Sequence, residues 1–459
     1  MTSTLLSLRH ALYAVGVVLG GSAVVVSACD GAGTTPAEPS SQPDSSSEAG
    51  TSSSGEDAPA PPDAIAPGTY ARLINDDTIW SEVPTPAGGG GPVLHQARVS
   101  PEPFPRRAWE ACGVGCQVTP AGLPFDIKLV VDPAPVVAGD YVDGDAFLLM
   151  TYATKEVSAR LTRLERLSDG TTVAAVVARN QRTNGQLAYG GGASPFVLIL
   201  GAAGTTRMAR ASSDGRVDWQ PGWRSDIPLS GAERIGLGDG MGLATYGGLL
   251  LFPSSAAASP LEIEPGTRLA HARGSQLFFG YGAGTIHSFT YAGGATPIVT
   301  LPNGRLAVGV RTSAERLVWI DGVRPTPPLF RDMRVHWSPL PKDAASVVVN
   351  DGPALPVEAR GGFDDMHATG DWVILGALFG PTDDNLAFEL VAINTASGSV
   401  YRVPNRPGRV FMRALALTNT ELVIGYKNGT RDSQAIDELV RIELASLPDV
   451  VARWAAGKL

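Results

Sequence analysis

From residue 67 onward the chain alternates short apolar runs with clusters of Gly, Pro, Asn and Asp. Residues 146–152, 172–177, 196–200, 276–279, 316–320 and 346–349 are runs of this kind, rich in branched and aromatic side chains. Their length suits buried strands rather than helices. Asp169-Gly170, Asp214-Gly215, Asn303-Gly304, Asp321-Gly322 and Asn428-Gly429 stand between or beside such runs. These dipeptides favour the positive-φ turns that join antiparallel strands, so each predicts a hairpin. Long amphipathic helical patterns are missing. Only the segment 448–454, near the C-terminus, predicts a short helix. The pattern is that of an all-β protein.

A repeat narrows the architecture. Asp371-Trp-Val-Ile-Leu-Gly376 is followed by a loop over 379–385, the run Phe388-Glu-Leu-Val-Ala-Ile393, a turn at 394–398 and the run 399–403. Thr420-Glu-Leu-Val-Ile-Gly425 is likewise followed by a loop and by Asp437-Glu-Leu-Val-Arg-Ile442. Ile374 maps onto Val423, Gly376 onto Gly425 and Glu389 onto Glu438. The runs 316–320 and 276–279 carry the same strand, a surface residue followed by apolar ones. A strand, a polar loop and a second strand at this period resemble a β-propeller blade. The length from 67 to 459 suits seven four-stranded blades, the alternative being one or two β-sandwiches. Propellers often close with a strand from each chain end, and 68–74 is the expected closing strand. No Trp-Asp or kelch signature is present, so the resemblance extends to no named propeller family.

The N-terminal region has a different texture. Arg9 is its only Lys or Arg, 11–28 is apolar, and Val26-Ser27-Ala28-Cys29 ends the stretch. Residues 29–66 are then dominated by Ser, Pro, Gly, Ala and acids. This order resembles the signal of bacterial lipoproteins, with its lipobox before a single Cys. The resemblance implies cleavage after Ala28 and lipid attachment at Cys29, leaving the protein in the cell envelope on the extracytoplasmic side of an inner or outer membrane. A short transmembrane helix over 11–28, or release by ordinary signal peptidase, are the other readings of the same residues. Three parts follow: a signal peptide over 1–28, a disordered tether over 29–66, and a β-propeller-like domain over 67–459.

Charge supports this division. The net charge is −9, but the tether holds seven acids and no base. Taking those seven from 45 acids and Arg9 from 36 bases leaves the folded part near −3. No basic footprint for nucleic acid exists. An acidic tail with so little apolar surface cannot offset the entropy of ordering, and serves as a spacer.

With Cys29 lipidated, Cys112 and Cys116 remain, and an oxidising compartment predicts a disulfide between them. Gly113 and Gly115 allow the tight turn this requires. The bridge is expected to be a local clip. A metal pair or redox pair is the other reading, with no His nearby and no Cys-x-x-Cys spacing.

Among candidates for chemistry, Asp364, Asp365, His367 and Asp371 form the densest polar group. Adjacent carboxylates would support acid–base work or bind Ca²⁺; the plainer reading is a solvated loop. The segment 140–145 contains Asp140, Asp143 and Asp145 but departs from the calcium-loop pattern and lacks its downstream Glu. The zinc-protease His pair, the serine-hydrolase elbow and the Walker loop are all missing. Trp80, Trp109, Trp219, Trp223, Trp319, Trp337 and Trp372 would stack on sugars or, more simply, pack blades.

These features favour a membrane-anchored, non-catalytic binding or scaffold module for a protein or glycan, with no resident cofactor. The competing class is an extracytoplasmic polysaccharide lyase or glycoside hydrolase using carboxylates in the propeller centre.

Overall fold

The computed structural model describes residues 80–82, 93–97 and, with interruptions, 108–458. The signal segment, the tether, the strand expected at 68–74, Asp364 and Asp365 lie outside the described residues.

The protein is all-β. The described residues open with β1 (Trp80–Glu82), β2 (Val93–Ala97), β3 (Glu110–Ala111) and β4 (Cys116–Pro120), and then fold into consecutive antiparallel sheets. The first holds β5 (Val136–Val142), β6 (Asp145–Ala153), β7 (Arg160–Arg166) and β8 (Thr172–Arg179), widened beyond β8 by β2 and β1. The second is β9 (Asn184–Tyr189), β10 (Phe196–Ala202), β11 (Thr205–Ala211) and β12 (Val217–Trp219). The third is β13 (Glu233–Leu237), β14 (Gly240–Thr245), β15 (Gly248–Pro253) and β16 (Leu261–Ile263). The fourth is β17 (Ala270–Arg273), β18 (Gln276–Phe279), β19 (Thr285–Thr290) and β20 (Gly294–Thr300). The fifth is β21 (Leu306–Thr312), β22 (Arg316–Thr326), β23 (Leu329–Pro339) and β24 (Asn350–Ala354). In the sixth, β25 (Ala359–Arg360) and β26 (Met366–Thr369) both pair with β27 (Trp372–Thr382), followed by β28 (Asn385–Asn394) and β29 (Ser399–Val403). The seventh runs from β30 (Arg409–Leu417) through β31 (Glu421–Asn428) to β32 (Glu438–Glu443), and its outer strands are β4 and β3. One helix, α1 (Leu447–Ala455), follows β32, with Pro448 in its first turn and Leu447, Val450 and Trp454 buried.

The core lies between neighbouring sheets. Val318, Ile320, Phe330 and Val335 of the fifth meet Val373, Leu375, Val391 and Ile393 of the sixth. Val137, Leu148, Met150 and Tyr152 of the first meet Leu415, Val423 and Leu439 of the seventh. A strand covered on both faces needs apolar residues at every position. Accordingly β6 and β31 are buried almost throughout instead of alternating. Burial of each such Leu, Ile or Phe stabilises the fold by roughly 1.5–3 kcal/mol.

The repeat read from sequence holds in register. Gly376 opposes Leu390 on β28, and Gly425 opposes Leu439 on β32. Each glycine leaves room for an apolar side chain, Phe388 in one sheet and Ile436 in the other. The turn at 394–398 also forms, with Asn394 Oδ1 accepting from Ala396 N at 3.1 Å and Ser397 N at 2.9 Å.

Four sequence expectations are corrected. The loop expected over 379–385 is mostly strand, with Phe379 paired to Ala387 and Thr382 to Asn385. Asp321-Gly322 is no turn: both residues lie inside β22, where Asp321 is held by Arg305 and a register shift follows. Asn303-Gly304 turns between two sheets, from β20 to β21, instead of joining strands within one. The run 346–349 is no strand: a 3₁₀ turn over Ala344–Ser346 is capped by Asp343, and Val348 N donates to Ser338 Oγ at 3.0 Å.

Candidate functional site

The predicted polar group is not one site in the described residues. His367 lies on β26, 7% exposed, and its Nε2 stands 3.2 Å from Ala414 O on β30. It links β26 of the sixth sheet to β30 of the seventh. Asp371 follows Gly370, whose φ is 48°, in the turn between β26 and β27. Arg316 Nη2 donates to Asp371 Oδ1 at 2.7 Å, and Arg316 Nη1 donates to Thr395 Oγ1 at 3.1 Å. Thr395 in turn donates to Asp371 O through its N at 2.7 Å and its Oγ1 at 3.0 Å. Asp371 therefore staples the fifth sheet to the sixth, while His367 joins the sixth to the seventh.

Of the three aspartates in 140–145, Asp140 and Asp145 fall on the paired strands β5 and β6, and Asp143 lies outside the described residues. Asp140 is inside β5, and Val142 pairs with Asp145 across a hairpin. Asp145 caps its own strand, accepting from Ala146 N at 2.7 Å, and also takes the Ser168 hydroxyl. Among the described residues, no three His, Cys, Asp or Glu side chains converge as a metal site requires.

A dense charged constellation went unseen in the sequence. Arg305, just before β21, donates to Asp321 through Nε at 2.8 Å and Nη2 at 2.6 Å. Its Nη1 reaches Asp332 Oδ2 at 2.9 Å, and Nη2 also donates to Asp332 O at 2.6 Å. Asp332 sits at φ 47°, a left-handed backbone that this arginine helps hold in place. His336 Nε2 approaches Asp321 Oδ1 at 3.2 Å, a polar contact not aligned as a full hydrogen bond. Its Nδ1 is 2.9 Å from Asp351 Oδ1 on β24, and its ring stacks on Trp319 at 5.6 Å. Burial pushes the Asp321 carboxyl up, but contacts from His336 and Arg305 outweigh it and hold the group below the ordinary carboxylate value. Arg305 is correspondingly raised by its bond to Asp321, against its own burial. The chemistry here is charge fixation: every nitrogen of Arg305 is engaged, and both oxygens of Asp321 are engaged. The only sequence signal was an Asp at the end of the apolar run 317–320, and a turn motif masked it.

A second pattern explains the repeated Glu. Arg402 donates to Glu389 through Nε at 2.6 Å and Nη2 at 3.1 Å, and its guanidinium lies 4.4 Å from the Phe379 ring. The bond to Glu389 raises Arg402 despite desolvation. Glu438 takes Arg406, and Arg409 Nε at 3.4 Å. Tyr426, opposite Glu438, is fully buried, and that burial pushes its phenol well above its ordinary range. Glu389 anchors the strand that follows it, β29, whereas Glu438 anchors the segment that precedes β30 and its first residue.

Cys112 and Cys116 are disulfide-bonded, with Cα atoms 5.0 Å apart. Trp319 is buried, while Trp109, Trp337 and Trp372 are half-buried against apolar clusters, as packing residues are.

No family model matches the chain, and no curated protein matches it. Among solved structures, the computationally designed Ika8 protein is 10% identical, with TM-score 0.39, covering 67% of this chain and 90% of its own. A chain from an S. cerevisiae assembly of Dbp5, Nup159, Gle1, IP6 and ADP is 8% identical, with TM-score 0.38, covering 72% of this chain and 97% of its own. At these scores neither likeness carries an argument about fold or function.

Proposed function

We propose that this chain is a lipid-anchored extracytoplasmic protein whose folded part is a seven-bladed β-propeller. It acts as a non-catalytic binding or scaffold module for a protein or glycan partner. Several contacts support the architecture. Among the described residues there are seven sheets in chain order. One strand from each packs in series, from β5 through β9, β13, β17, β21, β26 and β30, and β30 packs against β5. Serial meanders of this kind favour radial repetition over a sandwich, which faces two sheets across one core. The lipobox ending at Cys29 and the acidic tether support the anchor.

The observation that carries the functional reading is the commitment of the acid–base candidates. His367 spends its Nε2 on a backbone carbonyl and Asp371 its carboxylate on Arg316. These contacts hold sheets together and leave the described part of the group to structural work. Binding is then a matter of the loops that crown the sheets.

Membrane partition tests the anchor: the Cys29→Ser protein should move to the soluble fraction and lose labelled lipid. Thermal melting of that protein with a panel of envelope glycans, followed by chromatography of each mixture, tests the module. A ligand at about 100 times its dissociation constant adds roughly 2.7 kcal/mol. A shift with intact ligand supports binding. New cleavage products, abolished by Asp365→Asn, would replace this reading with the hydrolase or lyase one.

A further inference from the structure

We infer that the Cys112–Cys116 loop is a redox-controlled clasp that holds the N-terminal strand β4 on the C-terminal strand β32. Cys116 is the first residue of β4, and β4 pairs along its whole length with β32, from Cys116 opposite Ile442 to Pro120 opposite Glu438. The loop before it is shaped by the cross-link. Cys112 N donates to Cys116 O at 2.9 Å, and Gly113 and Gly115 take φ of 112° and 64°.

The loop fits a socket made by the C-terminal segment. Glu443 N donates to Gly115 O at 2.9 Å, and Arg453 Nη2 donates to Val114 O at 3.0 Å. A Cβ on Gly113 would lie 2.6 Å from Arg453 Cζ, and one on Gly115 would strike Ser446. Both cysteines are buried with Ile442, Leu444, Leu447, Val450 and Trp454. The sequence reading of a local clip is therefore too small. The five-residue loop is local, but what it grips is the other end of the chain.

The apex residue Val114 is 70% exposed, and of the two buried cysteines Cys112, at 7% against 2% for Cys116, is the less covered. A dithiol reductant opens the clasp in two steps. One of its thiolates attacks the Cys112 sulfur, breaking the bond and releasing Cys116 as a thiolate that takes a proton. Its second thiol then displaces Cys112, yielding two cysteine thiols and the oxidised reductant. The uncrosslinked loop must find two positive-φ glycines before it can enter the socket. In the chain-entropy model a loop this short favours the docked state by about 30-fold. The inference rests on the β4–β32 pairing alone and stands apart from the propeller reading.

Amide hydrogen exchange on the full chain, with and without dithiothreitol, tests it. Reduction should speed exchange by about 30-fold at the amides of 116–119 and 439–443 that bond between β4 and β32, leave those bonded between β32 and β31, and β22 and β23, unchanged, and reverse on reoxidation. The Cys112→Ser/Cys116→Ser double variant should exchange fast at β4 from the outset and ignore the reductant. Unchanged exchange at β4 after complete reduction would overturn the inference. So would a uniform increase in every sheet, or a disulfide that resists reduction until the protein unfolds globally. Because wild-type protein reduced in place supplies the decisive comparison, a double variant that fails to fold does not block the test.

Discussion

Arg305 grips Asp321 with two nitrogens, at 2.8 and 2.6 Å, across the start of the fifth sheet. Asp321 is 1% exposed, so its charge depends on that grip. Removing one partner of such a pair strands a buried charge, at about 3–5 kcal/mol. Arg305→Ala should lose stability in that range in urea unfolding. Arg305→Met with Asp321→Leu should lose less than Arg305→Ala alone, because no charge is left behind. Equal losses would show that the pair is not the source of the effect.

The same carboxylate imposes a pH dependence. Its folded value is lowered, so between the folded value and about 3.9 the unfolded chain binds the extra proton. Its contribution is complete above the unfolded value and is lost as pH falls through the folded one. Urea midpoints of wild type and Asp321→Asn, measured from pH 7 to pH 3, should converge as pH drops below about 4.

The two repeat carboxylates should differ in weight. Glu438 and Arg406 are 11% and 10% exposed, whereas Arg402, the partner of Glu389, is 46% exposed. Glu438→Ala should cost about 3 kcal/mol or more, as buried pairs do. Glu389→Gln should cost about 1 kcal/mol or less, and high salt should shrink that further. Denaturant midpoints in low and high salt distinguish the two.

Glycines in the strands and in the turns should fail for different reasons. A Cβ at Gly376 would lie 2.5 Å from Phe388 Cζ, and one at Gly425 would collide with Ile436. Alanine at either should destabilise by about 1–3 kcal/mol through overpacking. Gly398 has open space but φ 71°, so Gly398→Ala should cost about 1 kcal/mol through backbone strain alone. Replacing Phe388 by Leu should relieve Gly376→Ala and leave Gly398→Ala untouched, as read in thermal melts.

The sequence by itself determined the strand-rich class, the second strands of most sheets, the terminal helix, the cysteine pairing and the Glu–Leu–Val repeat. Each is written in neighbouring residues: apolar runs covered on both faces, Pro448 at a helix start, and two glycines between two cysteines. The tertiary structure decided what depends on distant partners. Asp321-Gly322 has the composition of a turn, yet the chain runs straight through it because Arg305 supplies the countercharge. His367 and Asp371 are four positions apart but serve different sheets, since a turn lies between them and their partners come from Ala414 and Arg316. The pairing of β4 with β32 was equally hidden, because five residues, Cys116–Pro120, carry no mark of which edge they will join. Backbone hydrogen bonding is indifferent to side-chain identity, so only the assembled sheet, with β32 offering its free side, selects them.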